Sequence, residues 1–326
     1  MLNDALSEAL EAPRILVEAS LRPVQGSRFQ PTGFPNLGAA EFRGPDGTAK
    51  ILLESPQSMA NRLESTAWDE ASGELVQSLR GLPYVTTMIG DRETDSIREA
   101  HRLNSPYLYE GIAEHLKSRV GVVGRKKKGA AGEAAESSGI DIRKLAAAVF
   151  FFDPNSVLHG VFLEKLLGTA RLTRVLSAFI EASGTSPAES GGVKNDRVDP
   201  VGERFGGAAK GFGNVPFSRT EYTAQEITAY FSIDTALLRS YGLGQDAEEL
   251  LLSLALWKIR RFLETGGRLR TACDLEAFDV KVTRPRDWAT PSIDSLEKSI
   301  GAATQRCNDA GLFAAPPKTV VQFPSK

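Results

Sequence analysis

The sequence predicts an α+β protein, one domain enlarged by insertions, and three stretches carry that prediction. Residues 14–22, RILVEASLR, set Ile15, Val17, Ala19 and Leu21 on one side and Leu16, Glu18, Ser20 and Arg22 on the other, the two-residue period of a half-buried strand. Residues 246–265 set Leu250, Leu251, Leu254 and Trp257 on one helical stripe, opened by a capping pair of Asp246 with Glu249 and closed by Gly266. Residues 172–181 and 219–231 read as long strands flanking a Gly-rich stretch, 183–217, which together make a hairpin with a mobile tip. A chain of 326 residues accommodates two domains or one domain carrying large insertions, and we favour the second; no internal repeat is visible.

The remaining elements follow in order. Residues 23–45 form a long loop in which Gly, Pro and Asn recur beside Gln25, Ser27, Arg28, Phe29 and Gln30. A short extended segment at 50–53 leads to Ser55, which caps a helix whose first position is Pro56, a residue with no amide hydrogen to leave unsatisfied there. A strand at 84–89 precedes two helical stretches, and 124–139, GRKKKGAAGEAAESSG, has the composition of a flexible surface loop. After it come the apolar segment 145–152, a turn at Asp153, Pro154 and Asn155, and a strand at 157–163. Lys258, Arg260 and Arg261 sit where positive charge complements a helix dipole, a role ranked above RNA contact.

Composition narrows the function. Hydrophobic residues at 41% and charged residues at 25% fit a globular protein, and no apolar run is long enough to cross a bilayer, so no membrane partner is expected. The start, MLNDALSEALEAPR, lacks the basic-then-apolar order of a secretory signal, which predicts a cytoplasmic protein. Cys273 and Cys307 lack zinc-site spacing and read as packing thiols. A formal charge of −2 argues against a nonspecific polyanion binder, so a nucleic-acid site must be local. Two basic concentrations stand out, 258–286 and the run RKKK at 125–128; each is either a solvated face or part of such a site.

Enzymatic motifs are absent: there is no phosphate loop, no paired metal histidines and no nucleophile elbow, and His101, His115 and His159 suggest no triad. No cofactor or metal is implied. KGFGNVPF, 210–217, approaches the RNA-recognition-motif consensus, but Asn214 breaks it and Pro216 removes a ladder hydrogen bond. It reads either as a Gly-rich loop with Phe212 free to stack on a base or as a loop anchored by Phe212 and Phe217. ESPQSMANRLE, 54–64, places Met59, Ala60, Leu63 and Ala67 on one helical side and Ser58, Asn61, Arg62 and Ser65 on another. The free amides of such a helix start let Ser55, Gln57, Ser58, Asn61 and Arg62 hold phosphates and sugars without a basic surface; the alternative is a capped surface helix. Because Ser58 and Arg62 lie off the apolar stripe, their joint replacement by Ala is expected to weaken RNA binding without unfolding.

The order of strand, long loop LRPVQGSRFQPTGFPNLG and helix ESPQSMANRLE resembles the RAMP-superfamily backbone subunit of CRISPR type I surveillance (Cascade) complexes, closest to the I-U (I-G) branch. SVLHGVFLEK at 156–165, GGVKNDRV at 191–198 and GNVPFSRTEYTA at 213–224 also look like that branch. The resemblance implies a ferredoxin-like (RRM-like) palm with a helical insertion and a long β-hairpin thumb. On that plan 14–90 is the first half of the palm, 91–140 the helical insertion, 141–171 palm, 172–231 the thumb and 232–326 the rest of the palm with C-terminal helices. It further implies a non-catalytic subunit whose copies stack in a filament along crRNA, beside other Cascade subunits, and present the guide for pairing with target DNA. Its RNA contacts map onto Ser55, Gln57, Ser58 and Arg62. The full candidate set adds Asn61; Arg22, Gln25, Ser27, Arg28 and Gln30 of the loop; and Lys194, Asn195, Arg197, Lys210, Phe212, Asn214 and Arg219 of the hairpin. The runner-up comes from type III relatives, which cleave RNA with a metal held by an acidic loop residue: Asp46 takes that place here, although Gly44, Pro45, Asp46 and Gly47 also spell an ordinary tight turn.

Overall fold

Alternation of apolar and polar residues builds the central sheet of the computed structural model, which describes residues 2–34, 37–121, 140–166, 170–265 and 267–323. After a helix α1 (Leu2–Glu11), the chain runs through β1 (Ile15–Pro23), β2 (Glu41–Arg43), β3 (Ala49–Glu54), α2 (Pro56–Ser65), β4 (Tyr84–Ile89) and β5 (Arg92–Asp95). It continues with α3 (Tyr109–Val120), α4 (Ile142–Phe152), α5 (Pro154–His159), β6 (Val161–Leu163) and β7 (Ala170–Leu172). There follow β8 (Leu176–Ser183), β9 (Ser186–Lys194), β10 (Val215–Thr223), β11 (Glu226–Ile233), α6 (Thr235–Ser240), α7 (Gln245–Glu264), β12 (Gly267–Arg270), β13 (Cys273–Arg284), α8 (Ile293–Asp309) and β14 (Lys318–Gln322).

Seven strands pair in the order β12–β13–β1–β11–β8–β3–β2, every neighbour antiparallel. Register aligns the apolar positions: Val17 faces Phe231, which faces Ala178, and Ala19 faces Ala229, which faces Ile180. All six are buried, so one face of the sheet is continuous hydrocarbon. Helices α2 and α7 cover that face. Met59, Ala60 and Leu63 of α2 and the stripe from Leu250 to Phe262 of α7 are buried, with Phe262 edge-on to Phe231 at 6.3 Å. A one-residue slip of any central strand would turn this face to water, which is why the register is well specified.

A smaller sheet, β14–β4–β5, packs beside this body, and β14 runs parallel to β4. Beyond β8 and β11 the chain leaves the main sheet as a two-stranded ribbon, β9 with β10, whose residues are exposed on both faces almost throughout. Gly184, at φ +63°, makes the break between β8 and β9. Among the described residues no helix is long and apolar enough to cross a membrane.

Several local expectations change. The strand foreseen at 157–163 is a helix end followed by a three-residue strand: Asp153 caps α5 by accepting the Asn155 amide (2.9 Å), and the local cap outweighs strand propensity. The hairpin tip is 195–214 rather than 183–217, because cross-strand pairing persists from Ser186 opposite Thr223 to Lys194 opposite Val215. Pro216 is tolerated there, since a two-stranded ribbon has a free edge on each side. Helix α7 starts at Gly244 without a side-chain cap, and Asp246 and Glu249 instead bind Arg306 of α8 at 2.5 and 2.8 Å. Lys258 does not serve the helix end but lies buried in its middle, while Arg260 donates to the Thr290 carbonyl at 2.8 Å. The two helical stretches after β4 are a 3-10 turn at Arg102–Asn104 and α3. Gly266, the loop 124–139 and its basic run at 125–128 lie outside the described residues.

Gly160 joins α5 to β6 at φ +77°, where an added Cβ would lie 2.8 Å from the Leu172 carbonyl oxygen and 2.9 Å from the Arg174 nitrogen. Gly160→Ala is expected to destabilise the protein by more than about 1 kcal/mol, read from the urea midpoint at unchanged slope.

Candidate nucleic-acid interface

The loop after β1, the start of α2 and the base of the hairpin come together, and two buried carboxylates hold them. Ser55 caps α2 through its Oγ and the Ser58 amide at 3.3 Å, with Pro56 at the first turn. Immediately before the cap, Glu54 is 1% exposed. Its carboxylate accepts from Ser58 Oγ, from Arg62 Nη2 at 3.0 Å and from Arg270 Nη2. Arg62 also donates to the Leu269 carbonyl (2.8 Å), and Arg270 Nη1 to the Gln30 carbonyl (2.9 Å). One carboxylate therefore ties α2, β12 and the loop. Three donors satisfy a charge that would be costly to bury alone.

The second carboxylate, Glu221 of β10, is 4% exposed and pairs with Arg28 at 3.0 Å and Arg219 at 2.7 Å. Beside it Phe29 and Tyr222 exchange backbone hydrogen bonds at 2.9 and 2.8 Å, and their rings stack at 6.5 Å. The Tyr222 hydroxyl donates to Glu41. A lone two-stranded ribbon is marginal in water, so this anchorage at its base is what fixes the hairpin.

The expected residues divide into three groups. Gln25, Ser27 and Arg28 line an open groove together with Arg268, while Gln30 contributes its backbone. Arg22 lies at the β1 end, paired with Glu276 at 2.7 Å and set over the Phe278 ring. In α2, Gln57 and Asn61 are exposed, but Ser58 and Arg62 are engaged by Glu54. This corrects the expectation that replacing both would leave the fold untouched: lying off the apolar stripe did not make them free, because helical position says nothing of what precedes the cap.

On the hairpin, Lys194, Asn195, Arg197 and Lys210 are exposed at the tip, away from the first two groups, and Arg219 is near the base. The tip is ordered by its own aspartates. Asp196 accepts the amides of Val198, Asp199 and Gly213, and Asp199 those of Gly202 and Arg204, while Asn214 Oδ1 accepts the Asp196 amide. Phe212 is 37% exposed and leans on Phe205 at 5.2 Å, so it is a half-open aromatic rather than a free one.

Sequence reasoning missed Arg268 and Arg270, although both lie in the basic segment 258–286; they stand two apart on β12, beside the loop after β1. It also missed a cleft beside α2, lined by Gln57, Asn61, His101, Phe162, Arg171 and Arg174. Beneath it runs a buried polar chain. Glu64 of α2 pairs with Arg102 at 2.6 and 2.7 Å and accepts from Asn155 Nδ2 (2.7 Å); Lys258 donates to Asn155 Oδ1 and lies 3.0 Å from His159 Nε2. Burial lowers Lys258 to about 8, with Glu64 and Asp153 acting to raise it. Burial lifts the neighbouring Asp153 to about 7 against its hydrogen bonds from Ser156 and Ser96.

Asp46 lies in its expected turn, its Oδ1 accepting the Thr48 amide at 3.0 Å, a bond that lowers its pKa. Among the described residues no three His, Cys, Asp or Glu side chains gather as a metal site.

Fold and site together define a protein of mixed α and β structure with a helix-backed antiparallel sheet, a projecting hairpin, and a cation-bearing surface where hairpin, loop and helix meet. The chain belongs to the family of CRISPR-associated protein GSU0053, whose model matches residues 15–187. That bears out the CRISPR resemblance carried by the first strand, loop and helix. In solved structures it is similar to a chain of a CRISPR RNA-guided surveillance complex, pre-nicking, at 11% identity and TM-score 0.44, covering 91% of this chain and 88% of that one. It is also similar to Thermofilum pendens Csc2 at 12% identity and TM-score 0.31, covering 91% and 77%. No curated protein matches it.

Two outcomes test the scaffold. Glu54→Ala, which leaves Arg62 and Arg270 without their carboxylate, is expected to cost about 3 kcal/mol of unfolding free energy, whereas Gln57→Ala stays within about 0.5 kcal/mol. For Asp153 the folded pKa lies above the unfolded value, so its stabilising contribution is full below about pH 4 and is lost as pH rises through about 7. The urea midpoint of the native protein, relative to Asp153→Asn, is therefore expected to fall between pH 5 and pH 8.

Proposed function

We propose that this chain is a guide-RNA-holding backbone subunit of a CRISPR surveillance complex, without catalysis of its own. The observation that carries the proposal is the convergence of loop, helix start and hairpin base around Glu54 and Glu221, in a family already CRISPR-associated. The exposed members of that surface are amides, hydroxyls and a few arginines: Gln25, Ser27, Arg28, Gln57, Asn61 and Arg268. Such a set grips sugar and phosphate without reading sequence, which leaves sequence recognition to the guide. It also fits RNA binding to a net charge of −2, because Glu54, Glu64 and Glu221 face inward as struts beneath this surface.

The strand order β13–β1–β11–β8, all antiparallel, with α2 and α7 as the two crossovers, supports a ferredoxin-like (RRM-like) palm. On this reading 91–140 is its helical insertion, and within 172–231 it is the ribbon of β9 and β10, beyond the palm strands β8 and β11, that forms the thumb, which, anchored at Phe29 and Tyr222, reaches the next copy on the same RNA. Copies form a filament with other subunits of a cytoplasmic complex, and the guide pairs with target DNA.

Co-expression with a guide array is expected to yield an RNA-containing particle several chains in size, measured by mass and absorbance ratio; recovery of RNA-free monomer would end the proposal. Raising salt should weaken binding with a log–log slope of about −0.7 for each neutralised phosphate. Asp46→Ala is expected to leave bound RNA intact in magnesium, as in the native particle. Cleavage that this substitution abolished would establish the nuclease alternative.

A further inference from the structure

Strand β13 outruns its outer neighbour. β12 places Gly267 opposite Leu275, Arg268 opposite Asp274 and Arg270 opposite Cys273, so among the described residues 276–284 pair with β1 alone. That leaves an open edge about 30 Å long, a template for a further strand. Sheets commonly close such edges with charges that point inward. Here the inward residues are Ala277, Val280 and Val282, opposite the buried Leu21, Ala19 and Val17 of β1. Val280 is 49% exposed, because the cover of α7 gives out at this edge. Leu256, Ile259 and Leu263 of α7 form the far wall of an open groove of about 770 Å³ beside Ala277 and Val280.

The outward residues of the same edge carry charges arranged symmetrically about Val280. Glu276, Asp279, Lys281 and Arg284 stand opposite Arg22, Ser20, Glu18 and Leu16 on the other face of the sheet. Two acids precede Val280 and two bases follow it, at matching separations. If a second copy approaches antiparallel with Val280 on a two-fold axis, Asp279 meets Lys281 and Glu276 meets Arg284, each twice. Opposite charges directly across a strand pair attract, and like charges repel. On the inner face the apolar set of one copy meets that of the other and closes the groove. Phe278 and Thr283, the residues skipped in the register with β1, fall on either side of the axis. Pro285 has no amide hydrogen to continue the ladder, so each strand ends where β12 of the facing copy begins.

Within one chain these charges are only partly matched. Glu276 holds Arg22 at 2.7 Å and Asp279 holds Lys281 at 2.6 Å, while Arg284 has no ion-pair partner among the described residues. Strand edges elsewhere fit this one less well: β2, β5, β12 and β14 run three to five residues, and the ribbon carries Pro187, Gly191, Gly192 and Pro216. We infer that the RNA-free chain associates through the outer edge of β13 as a two-fold dimer, its main sheet continuing into that of the second copy. Such an interface uses the same patch on both chains and closes at two copies, unlike the head-to-tail stacking of a filament. It is a separate surface and does not rest on the RNA-holding reading.

The test is sedimentation velocity of the full chain, purified without a guide, from about 1 to about 100 μM. A monomer–dimer equilibrium is expected. Glu276→Arg and Arg284→Glu, each alone, set like charges opposite one another at both ends of the interface and are expected to weaken the dimer Kd by about tenfold or more. An equal mixture of the two variants has opposite charges across the interface only in the mixed pair. Its dimer is expected to recover to within about threefold of the native Kd. Val280→Lys, which brings two ammonium groups together on the axis, is expected to abolish the dimer with the melting temperature unchanged. A chain that stays monomeric throughout the range would overturn the inference. So would a dimer indifferent to these substitutions, or one weakened by the single charge reversals and not recovered in the mixture. The measurement contains no RNA, so its outcome leaves the RNA-holding reading to its own test.

Discussion

A buried carboxylate with three donors is the constraint on which the rest of this surface depends. Glu54 ends β3, and the next residue caps α2, so its position is set by the sheet while its partners come from the helix, from β12 and, through Arg270, from the loop after β1. Ion pairing at the surface contributes little, but a paired charge removed from water is unforgiving if one side is lost. Hence the loop, which lacks regular structure of its own, has a defined place relative to a helix start that carries the exposed side chains of Gln57 and Asn61.

The same arrangement recurs at Glu221 and at Glu64. Each carboxylate is nearly inaccessible and each is held by an arginine from another part of the chain: Arg28 of the loop, with Arg219 of the same strand, in one case, Arg102 in the other. Acidic residues are thereby placed inside or beneath the surface and cationic or amide groups remain on it. Formal charge summed over the chain hides this layering, because it weighs a strut and an exposed guanidinium alike.

What could be read from the sequence was whatever local periodicity or a single turn determines. The alternation of 14–22 became β1, Ser55 and Pro56 opened α2 as their chemistry requires, and the stripe ending at Trp257 became α7. Errors arose where a partner distant in sequence decided the outcome. Asp246 and Glu249 look like a cap until Arg306 arrives from α8; Lys258 looks like a helix-end charge until Asn155 and His159 enclose it; Ser58 and Arg62 look free until Glu54 is placed beneath them. Of the candidate site, Gln25, Ser27, Gln57 and Asn61 stand exposed as expected, whereas the cleft built by Arg171 and Arg174 opposite α2 joins segments more than a hundred residues apart and has no signal in either segment alone.

The ribbon of β9 and β10 has nine residues in each strand, so at about 3.3 Å per residue it extends about 30 Å from the sheet. Its root is clamped by Phe29, Tyr222 and Glu221, and its end is closed by Asp196 and Asp199. A strut of set length, fixed at one end and folded at the other, acts as a ruler: whatever it touches is kept at a distance written into the number of residue pairs. Removing one pair would shorten it and also turn every side chain beyond the cut to the opposite face, so length and facing cannot evolve independently.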